Sequence, residues 1–172
     1  MADAVDGRTA EGAAALAELF RRHHVALVHL AVLMVNDQAT AEDVVQDAFA
    51  DVYRKAGTIT DHDRALPYIR TAVVNRCRTV LRRRRLTWRV AATYDPPASS
   101  AESAVLLAEE HRAVLSALDR LPPRQREALV LRYYLGLDEA GTAEVMGVGR
   151  GTVKSTTSRA LAALGGALGE PS

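Results

Sequence analysis

One cysteine, Cys77, stands among 172 residues, which leaves no partner for an internal disulfide and excludes a zinc site built from several thiolates. That scarcity fits a reducing compartment. Aromatic residues make up only 5% of the chain, and no apolar run approaches the ~20 residues that a membrane-spanning helix requires. Membrane insertion is not expected. The first residues, MADAVDGRTAEG, are acidic and alanine-rich and lack the basic start and apolar stretch of a secretory signal. The expected location is therefore the cytoplasm. No sustained apolar–polar alternation of strand period runs through the sequence, and no repeat of fixed period appears. An excess of one charge sign is also missing, since 22 Lys and Arg balance 21 Asp and Glu to leave a formal +1.

What the total conceals is a sorting of charge along the chain. Between Asn36 and Tyr53 every charged residue is acidic: Asp37, Glu42, Asp43, Asp47 and Asp51. Between Asn75 and Arg89 every one is arginine: Arg76, Arg78, Arg82, Arg83, Arg84, Arg85 and Arg89. One face is thus suited to a cationic partner and another to an anionic one.

The apolar pattern is helical throughout, so the fold class is all-α. From Leu16 to Val35, residues Leu16, Leu19, Phe20, Leu27, Leu30, Ala31 and Met34 recur at helical spacing, and Thr40 stands where the next helix needs an N-cap. Across Ala41 to Ala56, Val45, Ala48, Phe49, Val52 and Ala56 share one face, leaving Asp43, Gln46, Asp47 and Ala50 on the other. GTITDHDRA, Gly57 to Ala65, reads as a loop. Pro67 then opens a third helix to about Arg85, with Ile69, Val73, Cys77 and Val80 inward. Thr71, Asn75, Arg78 and Arg82 form a polar ribbon on its opposite side.

Composition breaks at TYDPPASSAES, Thr93 to Ser103, where Pro, Ser and Asp replace the apolar stripe. The expected organisation is a disordered amino terminus over 1–13, a helical domain over 14–88, a flexible linker over 89–103 and a second helical domain over 104–168. Helical patterning resumes at Ala104 to Leu118, stops at LPP, and restarts from Pro123 through RQREALVLRYYL to Gly136. Asp138 then caps a short helix ending near Met146, followed by GVGRGTVKSTTSRALAAL.

A short helix, a glycine-bearing turn and a second helix make a helix-turn-helix. With Val153 set inward at the helical repeat, Thr156, Thr157, Ala160, Leu161 and Leu164 join it, while Thr152, Lys154, Ser155, Ser158 and Arg159 face out. Lys154 and Arg159 suit phosphates, and Arg150, Lys154, Ser155 and Ser158 suit base edges, because a recognition helix reads the major groove with its amino-terminal residues.

Catalytic readings find less support. His23 and His24 are adjacent and so point to different faces, and His29 has no second ligand at a spacing of three or four. Asp61, His62 and Asp63 cluster in a loop without a nucleophile or a phosphate-cradling glycine motif. Cys77 lies on an inner stripe, which favours a small core residue over a redox sensor. Trp88 packs against the arginine-rich helix end or covers it. No catalytic residue, cofactor or metal is expected.

The ordered motifs resemble the extracytoplasmic-function (ECF) sigma factors, the smallest sigma subunits of bacterial RNA polymerase. ATAEDVVQDAFADVY with LPYIRTAVVNRCRTVLRRRR resembles sigma region 2, and LPPRQREALVLRYYLGL with GRGTVKSTTSRALAAL resembles sigma region 4. The resemblance implies that Asp43, Gln46 and Asp47 meet the clamp helices of the largest polymerase subunit, with the flap as a further part of the core polymerase contact. It implies that Asn75 reads the minus-10 promoter element as the strands open, with Arg78, Arg82, Arg83 and Arg85 on the backbone and the Gly57 to Leu66 loop accepting a flipped base. In region 4 it assigns Arg150, Thr152, Lys154, Ser155, Ser158 and Arg159 to minus-35 duplex. It also implies an anti-sigma partner and no obligate homo-oligomer.

The chain departs from the family pattern at Thr79, Gly141, Thr142, Gly149 and Thr156. Glycine within a helix costs roughly 1 kcal/mol against alanine, so a soft first helix of the helix-turn-helix is expected. Two further readings remain: a conventional repressor or activator, which leaves the acidic and arginine-rich helices without a role, and a sigma mimic that only sequesters an anti-sigma factor.

Overall fold

The computed structural model describes residues 3–54, 65–90 and 109–169, with side chains described over 12–54, 65–87 and 113–169. Seven α-helices and one π-helical turn account for the regular structure of these residues: α1 (Asp3–Val35), α2 (Gln38–Arg54), α3 (Ala65–Val90), α4 (Glu109–Asp119), α5 (Pro123–Leu129) running into a π-turn (Val130–Tyr134), α6 (Glu139–Met146) and α7 (Arg150–Leu168). The 57–64 loop, the helical start at 104–108 and most of the proposed linker lie outside them.

Three boundaries differ from expectation. Helix α1 begins at Asp3 rather than near residue 14, because the alanine-rich segment has few residues that oppose a helix and can propagate from an existing one. Helix α3 continues to Val90; arginine and leucine are good helix formers, and no glycine or proline stops them earlier. The cap of α2 is Asp37, whose Oδ2 accepts from the Thr40 amide at 2.8 Å. The Thr40 hydroxyl, then that amide bond and the charge of Arg84, hold the Asp37 carboxyl below its ordinary pKa despite partial burial. Asn36, at φ +53°, makes the tight reversal between α1 and α2.

Helices α1, α2 and α3 bury the stripe legible in the sequence: Leu27, Leu30, Ala31, Met34, Val45, Ala48, Phe49, Val52, Ile69, Val73 and Cys77. Val74 and Val44 are buried beside them. The Phe20 ring stands edge-on to Phe49 at 4.9 Å between centroids. Cys77 is fully buried, and desolvation pushes its thiol up to about 12. The residue is core, and its thiolate is unavailable at neutral pH.

The carboxyl-terminal helices form their own cluster of Leu118, Leu121, Leu129 and Ala160, with Leu164 packed against it. The two domains are not separate in space. A continuous core joins Leu30, Met34 and Val73 of the first to Ala128, Val130, Leu131, Ala143, Met146 and Val153 of the second. Leu33 of α1 also packs against the carboxyl-terminal cluster. The Tyr134 hydroxyl donates to the Ala26 carbonyl at 3.0 Å, and Arg126 Nη1 donates to the Met34 carbonyl at 2.8 Å.

Candidate nucleic-acid interface

The helix-turn-helix has the build its sequence implied. Asp138 Oδ1 accepts from the Gly141 amide at 2.7 Å, which fixes the start of α6. A Cβ at Gly141 would lie 3.2 Å from that same oxygen, so the glycine and the cap belong together. At the other end Gly147 takes φ +64°, closing α6 in the left-handed conformation that glycine adopts without strain. Gly149 then begins α7 with no side-chain cap.

On α7, Val153, Thr156, Thr157 and Ala160 are buried, while Arg150, Gly151, Thr152, Lys154, Ser155, Ser158 and Arg159 are exposed. Leu161 departs from the wheel and is 41% exposed, although Leu164 further along the helix is packed. Arg159 Nε touches only the Ser155 carbonyl of its own helix, at 3.2 Å. One convex face thus presents three cations and three hydroxyls to solvent, the chemistry needed for phosphates and base edges.

Thr142 explains one departure from the family pattern. It is fully buried, and its hydroxyl has no hydrogen-bond partner, an arrangement that costs about 1–3 kcal/mol. Thr142→Val, which keeps the shape and removes the hydroxyl, should raise the stability of the chain by about 1 kcal/mol. Chemical denaturation of both proteins measures this, and a lower midpoint for the valine variant contradicts it.

The arginine-rich helix is less uniform than its sequence. Arg82, Arg83 and Arg85 are exposed, as is Asn75. Arg84 instead ties α3 to the α1–α2 corner, donating to the Val35 carbonyl at 2.7 Å and to Thr40 Oγ1 at 3.1 Å. Arg76 reaches α2, where it pairs with Asp47 at 3.1 Å and with Asp51. That pairing lowers the Asp51 pKa. Arg78 crosses to the other domain. Its Nε donates to both Glu127 oxygens at 3.1 Å, its Nη2 to Glu127 Oε1 and to the Val145 carbonyl at 2.8 Å, and its Nη1 to Asn75 Oδ1 at 2.7 Å.

On α2, Asp43, Gln46 and Asp47 share one exposed face. Asp47 remains 66% exposed beside Arg76. No group of three His, Cys, Asp or Glu among the described residues is placed to hold a metal ion; the His24 ring lies tilted against Phe20 at 4.4 Å between centroids. Asp61, His62 and Asp63 lie outside the described residues, as does the Trp88 side chain.

Comparison with known proteins decides what this pair of domains is. Residues 19–87 match the Sigma-70 region 2 family and residues 111–164 match Sigma-70, region 4. The ECF RNA polymerase sigma factor SigM of Mycobacterium tuberculosis is 37% identical over 152 residues, covering 88% of this chain and 76% of SigM.

The chain belongs to the ECF sigma-factor family.

The sigma-E factor of Streptomyces coelicolor is similar at 33% identity over 147 residues, 86% of this chain and 82% of that one. Among solved structures, CnrH in complex with the cytosolic domain of CnrY superposes with a TM-score of 0.69 at 25% identity, over 95% of this chain and 94% of CnrH. Bartonella quintana RpoE, solved with the anti-sigma factor NepR, shares the fold at 0.69 and 22%, over 88% and 96% of the two chains. Region 2 is therefore built from α1–α3 and region 4 from α4–α7.

Sequence reasoning missed the residues that join the two regions. Glu127 is 2% exposed and Arg126 5%, though both are charged. Arg126 Nη2 also donates to the Asp119 carbonyl at 2.6 Å and to Asp119 Oδ1 at 2.8 Å, linking α4 and α5 to the end of α1. The helical period around RQREALVL does place both near the apolar side, but it names no partner.

Proposed function

We propose that this chain is a transcription initiation factor that binds bacterial core RNA polymerase and directs it to promoters with a minus-35 and a minus-10 element. The observation that carries this reading is the division of faces on two family-matched domains. An exposed cationic face lies on α7, an arginine-rich face on α3, and an exposed acidic face on α2. Duplex reading needs a helix in a groove, whereas melting needs cations on the backbone and a site for unstacked bases, which offsets a few kcal/mol per base. Carboxylates repel DNA and suit a protein surface.

Residues 14–88 serve as region 2 and 104–168 as region 4, joined by 89–103. Asp43, Gln46 and Asp47 face the clamp helices of the polymerase's largest subunit, with the flap as a further part of the core polymerase contact. Asn75, Arg78, Arg82, Arg83 and Arg85 serve the minus-10 element; Arg150, Thr152, Lys154, Ser155, Ser158 and Arg159 serve the minus-35 duplex. The chain lends specificity and performs no catalysis of its own. It acts in the cytoplasm as a single copy per holoenzyme, and an anti-sigma factor restrains it; CnrH and RpoE were both solved with protein partners, NepR being an anti-sigma factor. No helix among the described residues is long and apolar enough to cross a membrane.

Co-elution tests the first step. Purified chain mixed with core polymerase should migrate as a single complex that retains a promoter fork with a single-stranded minus-10 segment. Failure to co-elute, with the chain folded, contradicts the reading and favours a conventional regulator.

A further inference from the structure

Arg76 directly follows the exposed Asn75 on α3, yet one step around the helix sends its side chain to α2 rather than to the polar ribbon. Its two partners there lie one turn apart. Nη1 donates to Asp47 Oδ2 at 3.1 Å and Nη2 to Asp51 Oδ2, so two carboxylates of one helix hold the guanidinium. Arg54 donates in turn to Asp51 Oδ1. The four groups form a ladder of alternating sign, Arg54, Asp51, Arg76 and Asp47, which ends on a carboxylate. That end is open: Asp47 is 66% exposed, and among the described residues its Oδ1 accepts from no donor.

Resting on the proposed assignment of Asp47 to core polymerase, we propose that Arg76 is a positioning residue for that contact, gripping Oδ2 and leaving Oδ1 to accept from a lysine or arginine of the polymerase. A lone exposed ion pair orders a side chain weakly. Here Asp51 anchors the guanidinium from its other side, and the planar fork of arginine then fixes the direction of Asp47. Because Asp51 takes a share of the Arg76 charge, Asp47 is held without being fully neutralised. Its carboxylate reaches the interface already ordered, so less rotamer freedom is lost on binding. The same geometry separates Arg76 from the DNA-facing arginines. Both of its terminal nitrogens are engaged on α2, and a phosphate would have to displace Asp47 or Asp51 to reach them. Adjacent residues of α3 thus serve different partners, Arg76 the polymerase contact and Asn75 the promoter.

Arg76→Met keeps much of the stem and removes the donors. The dissociation constant of the fluorescently labelled full chain for core polymerase should rise about fivefold, the scale set by ordering one side chain at an interface. In an Asp47→Asn background the same substitution should change that constant by less than about twofold, because its effect passes through Asp47. With holoenzyme formed at saturating core, the salt dependence of binding to a minus-10 fork should stay as in the wild type, whereas loss of a phosphate contact lowers the slope of log K against log salt by about 0.7 to 1. Should Arg76→Met fail to fold, Asp51→Asn releases the other side of the guanidinium and should give the same loss of core affinity, again only when Asp47 is present. Unchanged core affinity, or losses from Arg76→Met and Asp47→Asn that simply add, overturn the positioning role and leave the polymerase assignment of α2 standing. A lowered salt slope makes Arg76 a DNA contact and overturns the role as well. If Asp47→Asn binds core as tightly as the wild type, the assignment of Asp47 to polymerase fails, and the role of Arg76 fails with it.

Discussion

Replacing Arg150, Lys154 and Arg159 together with alanine should weaken binding of the chain to minus-35 duplex by 100-fold or more. Each such contact to a phosphate or base edge contributes about 1–3 kcal/mol, and 1.4 kcal/mol is tenfold. Loss of the phosphate contacts should also flatten the salt dependence, lowering the slope of log K against log salt by about 1 per cation removed. The fold should be unaffected, since all three side chains are exposed and only Arg159 makes a hydrogen bond, within its own helix. Anisotropy titrations over a salt series, with circular dichroism as the control for folding, measure both effects. Unchanged affinity with an intact fold removes α7 from the DNA interface.

The second large effect is a separation of steps in region 2. Asp47→Arg should lower affinity for core polymerase by about 100-fold, because reversing a charge in a complementary interface costs several kcal/mol. Asn75→Ala should leave core affinity unchanged and reduce the yield of open complex at least tenfold. Asp47 also pairs with Arg76 at 3.1 Å, so the reversal sets two cations side by side. The pair is exposed, and its loss costs at most about 1 kcal/mol of stability. Equilibrium binding to core and permanganate footprinting of the melted strand separate the two steps. If both substitutions failed at the same step, the assignment of α2 to protein and α3 to DNA would be wrong.

The parts of the fold visible in the sequence are those governed by local periodicity. The stripe of Val45, Ala48, Phe49 and Val52 on α2 is buried, and the Thr152, Lys154, Ser155, Ser158 and Arg159 face of α7 is exposed, because helical spacing alone sets which residues share a side. Asp138 and Gly147 were also legible, since a cap and a left-handed terminus have their own residue preferences. The errors arise where tertiary contact overrides local signal. Thr40 was the expected cap, but Asp37 takes that role and Thr40 receives Arg84. Leu161 fits the apolar wheel of α7 yet is exposed, while Leu164 beyond it on the same helix is packed.

The arginine run shows the same limit within one element. Its members carry identical side chains, but among those described Arg76 serves α2, Arg84 the α1–α2 corner and Arg78 the other domain, while Arg82, Arg83 and Arg85 are exposed. Position around the helix distinguishes them, but the partners come from segments 25 to 67 residues away in sequence. Long-range ion pairs of this kind leave no periodic trace. Burial of Glu127 and Arg126 is legible only once both domains are in place, each pairing with charges or carbonyls that helical spacing alone does not supply.

The measurement that tests the central claim most directly is reconstituted transcription with purified chain and core polymerase on a genomic fragment library, with starts mapped against core alone. The account predicts discrete new starts, each preceded by two motifs at a fixed spacing, and their loss with the α7 triple substitution. A chain that binds core yet yields no starts beyond those of core alone would contradict it.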